Sequence, residues 1–221
     1  RYGIWEGETA VVDHRGEEVP VSQVIVAHYD NQGQVERLTT IMRNISDRKR
    51  LEAELEHRAS HDPLTGTFNR GKLESFLQHE AHRAQRSGSP LSLILFDVDH
   101  FKQVNDTYGH DVGDAILQRL VAVVAGRIRR SDLLARWGGE EFMILLPDTG
   151  SEGAQRLAET VRAGVAATAF EGAGTVTISL GVTPYQPGEP LKELVKRADD
   201  ALYAAKAAGR DTVVTKAPDA R

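Results

Sequence analysis

The sequence contains no cysteine. That single absence removes disulfides, thiolate metal sites and cysteine nucleophiles, and it suits a reducing compartment. No apolar run reaches the roughly 20 residues needed to span a bilayer. The opening, RYGIWEGETA, has no initiator methionine and no signal-peptide pattern. It reads as a piece cut from something longer, with room for membrane segments upstream. The piece itself is expected in the cytoplasm, without membrane contact. Positive charge is also in short supply: 27 Lys and Arg against 32 Asp and Glu leave a net charge of -5. A broad surface for a nucleic-acid polymer is therefore not expected. What is present suits a soluble globular protein. The 221 residues are 40% hydrophobic and 27% charged, enough for one large domain and a smaller piece.

The first 46 residues carry short alternating runs. ETAVVDH, Val19 to Tyr29 and Val35 to Ile45 read as strands, with turns at Arg15-Gly16-Glu17 and Asp30-Asn31-Gln32-Gly33. Three antiparallel strands enclose little core of their own. Residues 47–60, DRKRLEAELEHRAS, hold no Gly or Pro and are dense in helix formers. Ile45, Leu51, Leu55 and Arg58 or Ala59 approximate a seam, which suits either a short coiled coil or a solvated connector helix.

From His61 to about residue 216 the pattern becomes mixed α/β, with a short tail at 217–221. Helices are expected over Arg70–Ser87, Asp111–Arg129, Glu152–Ala167 and Leu191–Ala208. Strands are expected over Leu91–Phe96, Leu133–Trp137, Phe142–Leu146 and Thr175–Tyr185, with a last short strand at TVVT. Strands and helices alternate, yet the two strands around Gly138-Gly139 form a tight hairpin. The expected class is therefore α+β: a ferredoxin-like, palm-type mixed sheet flanked by helices.

Two acidic spots stand out. Asp97 and Asp99 follow the apolar run LSLILF, and strand periodicity would put both on one face. Carboxylates sharing a face repel unless a cation intervenes. Mg²⁺ suits such a place, because it takes oxygen ligands and is often held by one or two carboxylates plus substrate phosphates. The competing reading is a helix cap or turn, where Asp is common. The second spot is Glu140-Glu141 at the hairpin. If that hairpin lies beside Leu91–Phe96, its tip brings both glutamates toward Asp97, and Gly138 and Gly139 leave backbone room for a nucleotide. His61-Asp62 and His110-Asp111 superficially suggest an HD-type phosphohydrolase, but both pairs read as loops beside Gly or Pro rather than ligands arranged on helices.

The blocks DVDHFKQVND (Asp97–Asp106), GHDVGD (Gly109–Asp114) and RWGGEEF (Arg136–Phe142), with HDPLTGTFNR (His61–Arg70) before them and RADDALYAAKAAGRD (Arg197–Asp211) after, resemble the GGDEF family of diguanylate cyclases, with the Glu form of the signature. The strands and the ending RNISDRKRLEAEL resemble the C-terminal part of a PAS sensor. The first resemblance implies condensation of two GTP into cyclic di-GMP with release of two pyrophosphates, carried out by a homodimer with Mg²⁺, or Mn²⁺ in its place. It implies that Asp97, Glu140 and the backbone carbonyl of Val98 hold the metal, and that Asn105 and Asp114 read guanine. It places Phe101 and Lys102 near the phosphates, with His110, Gly138 and Gly139 facing substrate. It makes Lys206 and Arg210 the clamp on the terminal phosphates. Glu140 or Glu141 would be the base for the 3′-hydroxyl. Arg129 and Asp132 match an inhibitory site for cyclic di-GMP. The alternative is a non-catalytic module that binds GTP or cyclic di-GMP.

Overall fold

The computed structural model describes residues 3–218; the last three residues of the expected tail lie outside them. The chain divides into two compact units, one through Ala59 and one from Ser60. In the first unit, β1 (Ile4–Val12), β2 (Glu18–Tyr29) and β3 (Val35–Asn44) form an antiparallel meander with β2 in the centre. Asp13 and Asp30 start the two turns by accepting backbone N–H groups with their own carboxylates. Helix α1 (Ser46–Ser60) follows at once. It buries none of its residues, and Leu51 and Leu55 are exposed. Ile45, expected on the same seam, is instead buried just before the helix, its N–H donating to Pro20 O at 3.0 Å. It is tied to β2 between the end of β3 and the start of α1, so the exposed stripe on α1 is shorter than the sequence suggested.

The second unit runs β4 (Phe68–Asn69), α2 (Arg70–Ser87), β5 (Leu91–Val98), α3 (Phe101–Tyr108), α4 (His110–Ala125), β6 (Leu133–Gly138), β7 (Glu141–Pro147), α5 (Ser151–Ala166), β8 (Ala169–Phe170), β9 (Gly174–Thr175), β10 (Ile178–Pro184), α6 (Leu191–Ala207) and β11 (Val213–Thr215). Six strands form one mixed sheet in the order β11-β10-β5-β7-β6-β4. The inner four, β10-β5-β7-β6, are antiparallel throughout; both outer strands pair in parallel. This is the expected ferredoxin-like arrangement.

Every residue of β5 is buried, because helices cover both sheet faces. Ile94, Phe96 and Val98 pack on one side with Leu117 and Leu120 of α4 and Val161 of α5. Leu91, Leu93 and Leu95 pack on the other with Leu73 and Leu77 of α2 and Leu194 and Leu202 of α6. The continuous apolar run is thus two alternating faces. Helix α6 lies unusually close to the sheet: a Cβ added at Gly181 of β10 would stand 2.3 Å from the carbonyl oxygen of Ala198. Arg197 pins the same helix by donating to Thr183 Oγ1, Pro184 O and both oxygens of Glu189.

Two differences from the sequence reading concern the site. Residues Phe101–Tyr108 form a helix where none is expected, and the helix expected over Asp111–Arg129 is α4, His110–Ala125, so His110 lies on it and Arg129 beyond its end.

Candidate active site

The sheet and α6 together bring three acids and one base to a common place. Asp97 lies at the end of β5 and is directly opposite Glu141 at the start of β7. Cross-strand partners share a face, here the face covered by α6. From that helix Lys206 reaches Asp97, Nζ to Oδ1 at 2.9 Å. Glu140 sits in the intervening turn, partly exposed.

The electrostatics follow from burial. Asp97 is only 6% exposed. Burial pushes its carboxyl up to about 6; Lys206 opposes the rise, and the charges of Glu140 and Glu141 add to it. Glu141 is raised for the same first reason, burial, with Lys206 opposing and Asp199 and Glu140 adding. One ammonium therefore serves carboxylates that would take more positive charge. Among the described residues no three His, Asp or Glu groups form a ready cage for a metal. The donor set suits a hard divalent cation that completes its shell with water and phosphate oxygens, as Mg²⁺ does. Asp97, Glu140 and the carbonyl of Val98, whose side chain is buried, would hold it.

The hairpin tip is braced from a distant segment. Gly138 pairs with Glu141, the register slips between Arg136 and Gly138, and Gly139 takes a left-handed φ of 53°. A Cβ on either glycine would meet nothing within 4 Å, so this side of the tip is open space. Arg136 donates to Gly139 O at 2.8 Å and to both oxygens of Asp62 at 3.1 and 3.2 Å. Asp62 also accepts from the amide and hydroxyl of Thr65. Burial alone would raise the Asp62 carboxyl; these bonds hold it below the ordinary value. Trp137 is covered by the Arg70 guanidinium, 4.2 Å from the ring centroid. The Asp62–Arg136 brace was not foreseen; its two members are 74 residues apart in sequence.

A second group assembles on α3 and α4. The Oδ1 of Asn105 is buried and has no hydrogen-bond partner. Gly113 makes room for it: a Cβ there would lie 1.9 Å from that oxygen. An orphaned buried acceptor is costly, and here it lies on the helix pair that also carries Asp114. Asp114, His110 and Lys102 are exposed, and no ion pair engages Lys102 or Asp114 among the described residues. The ring of Phe101 is buried in the core, which leaves only its backbone to face a ligand.

Arg210 is exposed beyond the end of α6, at φ 66°. Asp99, weighed with Asp97 as a metal ligand, is occupied otherwise. Strand β5 ends at Val98, and the Asp99 carboxylate accepts from Thr177 Oγ1, Ser179 Oγ and Asp211 N.

Arg129 and Asp132 stand apart from these groups. They share one turn, with Asp132 Oδ2 accepting from Arg129 N at 2.8 Å and Asp132 N donating to Arg129 O at 3.0 Å. This turn precedes β6, and the acidic tip follows it, about 20 Å along the strand at roughly 3.3 Å per residue. The exposed Arg129 lines a cleft of about 470 Å³ with Arg156 and the segment Asp148–Gly153.

The family model described as "Diguanylate cyclase, GGDEF domain" matches residues 59–212. The chain belongs to the GGDEF family. Diguanylate cyclase DgcM of Escherichia coli K12 is 42% identical to this GGDEF chain over 174 residues, covering 79% of the chain and 42% of DgcM. Response regulator PleD of Caulobacter vibrioides is 40% identical over 201 residues, covering 88% of the chain and 43% of PleD. The chain thus spans about two fifths of the length of these relatives. Among solved structures, diguanylate cyclase SiaD of Pseudomonas aeruginosa, in complex with its activator SiaC, aligns with a TM-score of 0.71 at 43% identity, covering 78% of this chain and 69% of that one. The coiled coil and GGDEF domain of DgcB from Caulobacter crescentus, in complex with c-di-GMP, aligns with a TM-score of 0.71 at 30% identity, covering 77% and 94%. Among the described residues no helix is long and apolar enough to cross a membrane.

Proposed function

We propose that this protein is a diguanylate cyclase: it joins two GTP into cyclic di-GMP and releases two pyrophosphates. The observation that carries the reading is the buried Asp97, opposite Glu141 and bonded to Lys206, beside Glu140 at an open glycine tip. That arrangement on a GGDEF fold calls for a divalent cation and a polyphosphate together. A bound Mg²⁺, or Mn²⁺, would neutralise phosphate charge and make the α-phosphorus a better electrophile.

The chain's own residues position the substrate. The exposed Asp114 carboxylate accepts from guanine N1 and N2, and the Asn105 amide serves the remaining edge. His110 stands at the start of the same helix as Asp114 and faces substrate with it. Gly138 and Gly139 leave the nucleotide room. Lys206 and Arg210 hold the terminal phosphates, assisted by Lys102 and the backbone at Phe101. Glu140 or Glu141 takes the proton of the 3′-hydroxyl as its oxygen attacks the α-phosphorus of the second GTP. The raised Glu141 carboxyl and its place beside Lys206 suit a proton acceptor.

Each domain holds one GTP, so a symmetric product requires two domains face to face, a homodimer. Residues 61–216 form the cyclase domain. Residues 1–46 are the C-terminal part of a PAS sensor and 47–60 the connector whose exposed Leu51 and Leu55 meet their counterparts. Arg129 and Asp132 bind cyclic di-GMP as an inhibitor; once the ligand displaces the internal Arg129 amide, Asp132 can pair with guanine.

Incubation of the protein with GTP and Mg²⁺, with products resolved by chromatography, tests the activity. Cyclic di-GMP from wild type and none from Glu140→Ala is expected. GTP binding without turnover in wild type would instead identify a non-catalytic module.

A further inference from the structure

Asp99 is only 5% exposed, and no Lys, Arg or His balances it among the described residues. Its carboxylate is nevertheless well satisfied: Thr177 Oγ1 at 2.8 Å, Ser179 Oγ at 2.6 Å and Asp211 N at 3.0 Å all donate to it. Its own N–H donates to Thr177 O at 2.9 Å. The hydroxyl donors come from β10 and the segment before it. The third comes from the corner after α6, 112 residues away.

That corner has a costly shape. Arg210 and Asp211 are consecutive non-glycine residues at positive φ, 66° and 42°. Left-handed backbone at two side-chain-bearing residues persists only when its surroundings hold it. Three contacts do so. Arg210 N donates to Ala205 O at 3.2 Å, Arg162 of α5 donates to Asp211 Oδ1 at 2.7 Å, and Asp211 N donates to Asp99. The Arg210 guanidinium is left exposed, one turn beyond the Lys206 that bonds Asp97. Asp97 and Asp99 are two residues apart at the end of β5. The strand end that carries the buried acid of the site is therefore also the anchor of the corner that carries Arg210.

We infer that Asp99 is a positioning residue for the phosphate clamp: it fixes the Arg210–Asp211 corner to β5, so that Arg210 stands at the terminal phosphates of GTP. This rests on reading the site as a GTP site. Asp99 takes no part in holding metal, since its oxygens point to fixed donors of the fold.

The chemistry of the three donors supplies a sharp test. A backbone N–H can only donate, whereas the Ser179 hydroxyl can turn and accept. Asp99→Asn can keep its carbonyl oxygen on Thr177 and Asp211 N and give its amide to Ser179, so the conservative variant should rescue. Asp99→Ala cannot. The readout is the ratio of affinities for 3′-deoxy-GTP and 3′-deoxy-GMP in Mg²⁺; neither can turn over, and the ratio isolates the outer phosphates. Asp99→Ala and Arg210→Ala should each lower it roughly tenfold, the loss of a charge-assisted contact. The double variant should be no worse than Arg210→Ala alone, Asp99→Asn should stay within about threefold of wild type, and Mn²⁺ affinity without nucleotide should be unchanged in Asp99→Ala. An unchanged ratio in Asp99→Ala, additive losses, or Mn²⁺ affinity falling in Asp99→Ala would overturn the inference. If Asp99→Ala fails to fold, Arg162→Ala carries the test, because it frees the other side of the corner; a wild-type ratio there overturns the inference equally. A wild-type protein that does not discriminate the two nucleotides would refute the GTP reading itself.

Discussion

At the scale of single residues, Asp97 holds the largest electrostatic tension in the site. Its carboxyl is pushed from an ordinary 3.8 to about 6, chiefly by burial, although Lys206 is bonded to it. Between those values the native state binds a proton that the unfolded chain has already lost. Metal-free stability from this group is therefore full below about pH 4 and declines as pH rises to about 6. Asp97→Asn removes the decline and should be more stable than wild type near pH 7 by on the order of 2 kcal/mol. Denaturant titrations of both proteins in chelator, from pH 4 to 7, check this through the difference between the curves; parallel curves would contradict it. Glu8, lowered to about 2 by its bonds to Lys49 and Arg48, works in the opposite direction at the acid end, but equally in both proteins. The sequence made Asp97 conspicuous because an acid closing an apolar run is hard to explain otherwise, and Glu140 because it sits in a hairpin turn after two glycines. It left Asp99 open between metal ligand and turn, because the groups that satisfy that carboxylate come from 78 to 112 residues away. The Asp62–Arg136 brace was hidden for the same reason.

At the scale of elements, long periodic segments were legible and short ones were not. The bounds of α2 were read as observed, since Gly88 takes the left-handed cap conformation. Helix α3 is not legible in the sequence: it has eight residues, no side-chain N-cap and a run of poor helix formers, Val104 to Thr107, and it stands because Phe101 is anchored in the core. That unforeseen helix holds Asn105 against α4 at Gly113. A Gly113→Ala methyl would lie 1.9 Å from Asn105 Oδ1 and 3.2 Å from the Phe101 ring. Either the amide swings away or the helices part, so affinity for GTP should fall about tenfold, with roughly 1–3 kcal/mol of stability lost to overpacking. Nucleotide titration and thermal melts read the two effects separately, and unchanged affinity would exclude Asn105 from guanine recognition. Helix α1 makes a different demand. It has no buried residue of its own, so its stability and any signal it carries depend on what meets Leu51 and Leu55. Insertions of one to seven residues within 47–60 should change cyclase activity with the helical repeat, whole turns restoring what half turns abolish. Rates indifferent to insertion phase would reject α1 as a rigid connector.

At the scale of the whole molecule, the proposed sites of synthesis and of product inhibition lie at opposite ends of one strand. Strand β6 leaves the Arg129–Asp132 turn and arrives, six residues later, at Gly138. A product bound at the turn is too far from Asp97 to compete for the same atoms. On the proposed reading its effect comes from holding a domain away from its partner, since that reaction would need two domains face to face. The Asp132 carboxylate already caps its own turn by accepting from Arg129 N. The exposed Arg129 guanidinium, beside the Arg156 cleft, is the group left for a phosphate. Arg129→Ala should therefore abolish inhibition while initial rates at low product stay within about twofold of wild type, because surface substitutions remote from a site rarely cost more. Inhibition in the wild type should be noncompetitive with GTP. Progress curves with and without added cyclic di-GMP, at several GTP concentrations, measure both. Inhibition that survives the substitution, or that GTP overcomes, would move the product from the turn at the start of β6 to the acidic tip at its end.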